Sequence, residues 1–215
     1  MRSVNFPRRF FLILAVFAAL GVVGYLLASR ALFRIGFPLD DAWIHQTYAR
    51  NLALRGEWAF WSGHAAGGST APLWSALLAL GYWLKLSPYL WAFGLGALIL
   101  WGIALLGEGW VRAAVPAYRS RFPWVGLFLI GEWHLLWASA SGMETLLYAL
   151  LVTIVLALLS LGYRNYLGLG ALIGLSVWIR PDGVTLLGPV VLVALLDDGS
   201  WLQRLRYLVN VGLSF

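Results

Sequence analysis

Long apolar runs separated by short clusters of charged residues dominate the pattern along this chain. Residues 10–29, 86–107 and 145–163 carry no charge, and residues 122–143 carry a single acid, Glu132. A helix needs about 20 apolar residues to cross the hydrocarbon core of a bilayer. These four runs therefore predict four membrane-spanning helices.

Three shorter apolar runs, residues 72–84, 165–179 and 183–196, are further candidates. Each is too short to cross the bilayer alone. It must tilt, form a re-entrant segment, or pack against neighbouring helices. The sequence Lys85-Leu86-Ser87-Pro88 predicts a break after the first of them. The whole pattern predicts an all-α fold, a single polytopic transmembrane helix bundle over residues 1–215 with six to eight crossings.

Composition supports a chain embedded in lipid. Of 215 residues, 61% are hydrophobic and 11% charged, too few charges to cover a soluble globule. The 13 Trp residues suit the two membrane interfaces, and the absence of Cys excludes disulfide scaffolds and thiolate metal sites. The net charge is +6, but the 15 Lys and Arg form short clusters rather than a basic stripe, so we expect no nucleic-acid partner.

The basic clusters predict the orientation, because cytoplasmic loops carry an excess of Lys and Arg. Arg2, Arg8 and Arg9 precede the first apolar run, which exceeds the roughly 7–15 residues of a signal-peptide core. We therefore expect a membrane anchor with a cytoplasmic N-terminus in the inner membrane, and residues 35–71 as the first external loop. Arginines at positions 112, 119, 121, 164, 204 and 206 indicate cytoplasmic segments, which leaves residues 141–144 and 180–183 outside.

The first external loop contains a predicted helix that starts at Asp40-Asp41, ends near Arg55 and is terminated by Gly56. Its apolar side chains are typical of a short amphipathic helix at a membrane surface. Asp41 and His45 lie four residues apart, on one face. The two aspartates act either as helix caps only or as catalytic carboxylates, and the pattern leaves both alternatives open.

The small-residue stretch at 63–72 follows this helix and would let a ligand approach the backbone closely. It lacks the Lys-Ser/Thr ending of a nucleotide phosphate loop. His64, within it, could act as a ligand or base, although a lone loop histidine is more often neither.

Ionisable residues in or next to apolar runs form two pairs. Glu132 and His134 are two residues apart, so on one helix they would point in different directions, and we expect structural pairing inside the bundle rather than a shared metal site. Glu144 and Arg180 sit at the ends of two runs, where their opposite charges could meet. Arg180 then either completes a salt bridge or binds an anionic substrate group.

Four segments in order resemble a known enzyme family. Residues 40–53 (DDAWIHQTYARNLA) and 68–74 (GSTAPLW) resemble the first external loop of bacterial GT-C glycosyltransferases, closest to the arabinofuranosyl- and mannosyltransferase-like branch. Residues 141–145 (SGMET) and 180–183 (RPDG) resemble the same branch, so the likeness covers roughly residues 33–196. It implies transfer of a sugar from a polyprenyl-phosphate donor to an acceptor outside the membrane, with inversion at the anomeric carbon.

The resemblance also implies roles for individual residues. Asp41 or Asp40 would be the general base, and a divalent cation could bind at Asp40, Asp41 and His45, although nothing in the sequence requires one. Arg180 would bind the donor phosphate, with Arg50 and Arg55 in reserve. Glu144 would position either the substrate or Arg180. Substrate binding is thereby assigned to His45, Arg50, Arg55, His64, Glu144, Arg180 and Asp182.

Members of this family usually continue well beyond the length of this chain, so we expect a version shortened at the C-terminus. That leaves an alternative: a non-catalytic structural subunit of a larger membrane complex, derived from a GT-C helix bundle. Its partners would be the bilayer and other membrane proteins. A transporter is least favoured, because the sequence shows no internal repeat.

Overall fold

A computed structural model describes residues 6–215, which fold mainly into α-helices. In chain order these are α1 (Arg8–Leu32), α2 (Asp41–Arg55), α3 (Pro72–Trp83), α4 (Pro88–Ala114), α5 (Trp124–Gly131), α6 (Trp133–Ser139), α7 (Thr145–Ser160), α8 (Tyr166–Ile179), α9 (Leu187–Leu195) and α10 (Trp201–Ser214). Two antiparallel strands, β1 (Ala59–Trp61) and β2 (His64–Ala65), form a hairpin after α2, and a 3-10 helix, Pro181–Leu186, precedes α9. The all-α prediction is confirmed.

Two helices, α1 and α4, are long and apolar enough to cross a bilayer, judged by length and composition. They contain 25 and 27 residues. On α1, Leu12, Leu20 and Leu27 are each more than half exposed, a surface better suited to lipid than to water. The remaining apolar helices are shorter than a span, so two of the six to eight predicted crossings meet this criterion in the described chain.

The loop helix α2 has the predicted bounds, because its two ends carry the expected local chemistry. Asp40 precedes its first residue, and one carboxylate oxygen accepts a hydrogen bond from the Asp41 amide at 3.1 Å. At the other end Gly56 adopts a left-handed conformation, φ +68°, and its amide donates to the last turn. The predicted break after α3 is also present: Lys85 has a positive φ of 55°, and α4 begins at Pro88.

The run at 122–143 is broken at Glu132, which has an extended conformation between α5 and α6. Its side chain caps α6 by accepting a hydrogen bond from the Leu135 amide at 2.9 Å. The expectation that Glu132 and His134 point apart and pair inside the bundle is wrong. Because the helix is interrupted, His134 Nδ1 lies 2.7 Å from Glu132 Oε1, and the His134 side chain is 86% exposed.

Two apolar clusters form the interior. The first is built mainly from α1, α2, α3 and α4, with smaller contributions from α5 and α6, around Leu14, Trp74 and Leu100. The second lies among α8, α9 and α10, around Ile173 and Val211. Helix α7 contributes its first half to one cluster and its second half to the other, and so joins them.

A buried acid that the sequence pattern did not single out fixes one end of α4. Glu108 is fully buried, and its Oε1 accepts from Arg112 Nε at 2.7 Å. Its Oε2 accepts from the amides of Val125 and Gly126 at 3.0 and 3.2 Å, in the first turn of α5. Both carboxylate oxygens are thus engaged by protein groups, and we regard Glu108 as a structural cap for α5.

Candidate functional site

Three distant segments meet where α2 begins: the loop before α2, the turn before α7 and the start of α3. The Trp74 indole donates to the Gly142 carbonyl at 2.9 Å, which joins α3 to the turn. Gly142 has φ +78°, and a Cβ there would overlap the ring of Phe37. Glycine is required at 142 by both its backbone conformation and the close approach of that ring.

Glu144 lies at the centre of a network of ionisable groups, and its own side chain and that of His45 are buried. Arg180 Nη1 donates to Glu144 Oε1 at 3.0 Å, so the contact considered from the sequence is present. On the other side His45 Nε2 is 3.2 Å from Glu144 Oε2, close enough for an ion pair but outside hydrogen-bond geometry. His45 is 2% and Glu144 3% exposed. The network therefore connects α2, the turn before α7 and the end of α8.

The ionised form of Glu144 is favoured by these neighbours. Burial would raise the pKa of its carboxyl, but His45 and the charge of Arg180 hold the pKa below its ordinary value of 4.5. At neutral pH the carboxylate is therefore charged. A buried charge of this kind is stable only with its partners in place.

Two serines continue the network behind His45. His45 Nδ1 lies 3.3 Å from Ser75 Oγ and 3.5 Å from Ser69 Oγ, and the two hydroxyls are 2.9 Å apart. Sequence reasoning missed both residues. Ser75 could have been noticed as a polar residue on an apolar helix. Ser69 carried no such signal, since only the folded path of residues 63–72 returns it to α2.

Tyr48 holds the small-residue stretch against α2. Its hydroxyl donates to the Ala66 carbonyl at 3.1 Å and accepts from the Gly68 amide at 3.0 Å. The stretch remains exposed on its outer side, where His64 lies in β2 with its side chain in solvent. The hairpin does not bring His64 into the described contacts of Glu144.

Asp40 and Asp41 differ in how their carboxylates are engaged. Asp40 is a helix cap, as one of the two alternatives held. Asp41 is exposed, and within residues 6–215 its carboxylate has neither a hydrogen bond nor an ion pair. It precedes His45 by one helical turn and so lies on the same face of α2. Asp41 therefore presents an unpaired carboxylate on the face of α2 that carries His45.

Arg180 is shared between two carboxylates. Besides its bond to Glu144, Arg180 donates from Nη2 to Asp182 Oδ2 at 3.3 Å. The Arg180 side chain is 32% exposed and that of Asp182 65%. The contact with Asp182 is thus the longer and more solvated of the two, and an anion could replace Asp182 on the guanidinium without disturbing Glu144.

Arg50 and Arg55 do not join this network. Arg50 is nine residues beyond Asp41, which places it about 180° around the helix axis and about 14 Å along it. Arg55 is about 15 Å along the axis from His45. Both side chains are exposed and border a pocket that none of the Glu144 network residues line.

Among the described residues, no group of three or more His, Cys, Asp or Glu side chains is arranged to hold a metal ion. Of the three residues considered for a divalent cation, His45 has both ring nitrogens directed at protein partners, Ser75 and Glu144. A cation at Asp40 and Asp41 stays a prediction.

No family model, curated protein or solved structure matches this chain. The function must therefore be inferred from the geometry of its own residues.

Proposed function

We propose that this protein is a membrane-bound glycosyltransferase that moves a sugar from a polyprenyl-phosphate donor to an acceptor on the external face of a bacterial inner membrane. The proposal rests on the position of Asp41. Its free carboxylate lies one helical turn from His45, and His45 contacts the Glu144–Arg180 pair. A rigid, partly desolvated support beneath an unpaired acid suits a general base.

The proposed chemical step is a direct displacement at the anomeric carbon. Asp41 removes the proton from an acceptor hydroxyl as that oxygen forms a bond to the anomeric carbon. The bond between this carbon and the phosphate oxygen breaks, and its electron pair stays on the phosphate. One displacement inverts the configuration, and the products are a glycoside and a polyprenyl phosphate.

Arg180 is proposed to stabilise the departing phosphate. A guanidinium presents paired N–H donors to two oxygens, and its charge is most useful where negative charge develops. We propose that the phosphate displaces Asp182, whose contact with Arg180 is solvated, while Glu144 keeps the guanidinium in position. In this scheme Glu144 and His45 are positioning residues.

The proposed membrane arrangement has α2, the turn before α7 and the end of α8 on the external side. α3 has 12 residues and a length of about 18 Å, less than the roughly 30 Å hydrocarbon core, so α4 alone crosses between residues 72 and 114. One crossing there returns the chain to the cytoplasm, as the cluster of arginines after α4 requires. α5 and α6 together return the chain to the external side before α7, and α7 to α10 supply the remaining crossings by tilting and by packing against one another.

The test compares Asp41→Asn with Asp198→Asn in membranes supplied with a radiolabelled polyprenyl-phosphate sugar, arabinofuranose or mannose. Asp198 is also exposed and outside every ion pair of the described chain, but it lies in the loop between α9 and α10. We expect Asp41→Asn to slow transfer at least about 100-fold, the usual contribution of a general base, and Asp198→Asn to leave it unchanged. Equal transfer by both variants would remove Asp41 from the reaction.

A non-catalytic subunit is the second candidate, favoured by one observation. The central acid Glu144 is buried between two protein partners, as expected for a residue whose role is only to stabilise the fold. This candidate requires stable copurification with a membrane protein partner and no effect of Asp41→Asn on the function of the complex. Sugar transfer by the purified chain alone would exclude it.

A further inference from the structure

A pocket lies between α2 and the β1–β2 hairpin, and no residue of the Glu144 network lines it. It is bounded by Thr47, Arg50 and Arg55 of the helix and by Phe60, Trp61 and Ser62 of the β1–β2 hairpin, and its volume is about 420 Å³. Pockets of roughly this size accept small ligands or headgroups.

The two arginines of this pocket have no charged partner within the described chain. Neither guanidinium lies within 4.0 Å of a carboxylate among residues 6–215, whereas Arg112, Arg164 and Arg180 are all paired. A free guanidinium offers several planar N–H donors, which match the oxygens of a phosphate group. The positive charge of the pocket is therefore available to an anion.

The wall opposite the arginines is fixed in place. The Asn51 side chain donates to the carbonyls of Ala59 and Phe60 at 2.8 and 3.2 Å, which ties the hairpin to α2. The nearby acid, Glu57, accepts from Ser62 Oγ and the Gly63 amide at 3.2 and 3.0 Å. Glu57 thus holds the hairpin turn and leaves the arginines unpaired.

Exposed apolar side chains lie beside this charge. Trp61 is 72% exposed, and Leu54, one turn beyond Arg50 on α2, is 66% exposed. An exposed Trp and Leu next to two arginines are typical of a surface at the level of the lipid headgroups. At that depth aromatic rings are stable and anionic phosphates are within reach of the arginines.

We propose that this pocket binds a phosphate group at the membrane surface, separately from the sugar-transfer site. The phosphate oxygens accept hydrogen bonds from Arg50 and Arg55, and Trp61 and Leu54 contact the apolar part of the ligand. The family resemblance implied that these arginines could substitute for Arg180 in binding the donor phosphate. On α2, however, Arg50 points away from Asp41. The phosphodiester of an anionic phospholipid and a free phosphate share this chemistry, and the site does not depend on sugar transfer.

The test uses the full chain with Leu54→Cys, labelled with an environment-sensitive fluorophore, because the sequence contains no other cysteine. The protein is placed in phosphatidylcholine nanodiscs and titrated with inorganic phosphate, and separately prepared with rising fractions of phosphatidylglycerol. We expect a saturable fluorescence change that Arg50→Gln/Arg55→Gln weakens at least about tenfold. The control Arg119→Gln/Arg121→Gln removes the same charge elsewhere and should leave the response within about twofold.

The two titrations identify the source of the phosphate. A response to phosphatidylglycerol, with or without one to inorganic phosphate, assigns a lipid headgroup, and a response to inorganic phosphate alone assigns a soluble phosphate compound. No saturable response to either, or equal affinity in the Arg50→Gln/Arg55→Gln variant, overturns the proposal. Asp41→Asn should keep the response, and its loss in that variant would contradict a separate site.

Discussion

Replacing Glu144 by Gln should destabilise the fold, because it removes the one negative charge between His45 and Arg180. A hydrogen bond to a charged group contributes about 1.5–3 kcal/mol. The Arg180 side chain is 32% exposed, so part of its charge is already solvated. We therefore expect the free energy of unfolding to fall by about 2 kcal/mol. For a chain of this size that corresponds to a fall in Tm of roughly 4–8 °C.

The assay is thermal unfolding in detergent, followed by intrinsic Trp fluorescence. Glu132→Gln is the matched control, because it makes the same chemical change in a glutamate that also contacts a histidine. Here, however, the histidine is 86% exposed, and Gln can still accept the capping hydrogen bond from the Leu135 amide. We expect a clearly smaller fall in Tm for the control. If Glu144→Gln were as mild as Glu132→Gln, the buried network would not hold the three segments together.

Three further outcomes follow from the same geometry. The pKa of Glu144 lies below 4.5, so its ion pairs stabilise the fold above pH 4.5 and are lost as the pH falls through that lowered pKa. The Tm difference between wild type and Glu144→Gln should therefore shrink in acid, and a constant difference between about pH 7 and pH 3 would contradict this. Gly142→Ala should cost about 2 kcal/mol more than Gly162→Ala, measured by thermal unfolding. Both glycines have similar positive φ, but only the first faces the Phe37 ring, so equal costs would contradict that contact. Asp182→Asn should lower KM for the sugar donor about threefold by freeing Arg180, and a higher KM would instead show that Asp182 contacts the substrate.

The sequence was sufficient to predict those parts of the site whose structure is determined by neighbouring residues in the chain or by opposite charges. An acid at one end and Gly56 at the other set the bounds of α2, and opposite charges at the ends of two apolar runs predicted the contact of Glu144 with Arg180. The approach of His45 to Glu144 was not predicted, because it depends on how α2 packs against the turn before α7.

Other features have no local signal of sufficient strength. Strands of three and two residues are too short to show an alternating pattern, so the hairpin was missed. The break at Glu132 follows directly on α5, which contains no proline, and hydropathy alone predicts one helix there. The number of crossings depends on packing among short helices, which composition does not determine.

The stereochemistry of transfer tests the central proposal most directly. The purified chain would be incubated with a polyprenyl-phosphate sugar labelled with ¹³C at the anomeric carbon and an octyl glycoside acceptor, and the product examined by NMR. We expect a glycoside of inverted configuration from wild type and none above background from Asp41→Asn. A product of retained configuration, no product from wild type, or equal product from both proteins would contradict a single displacement assisted by Asp41.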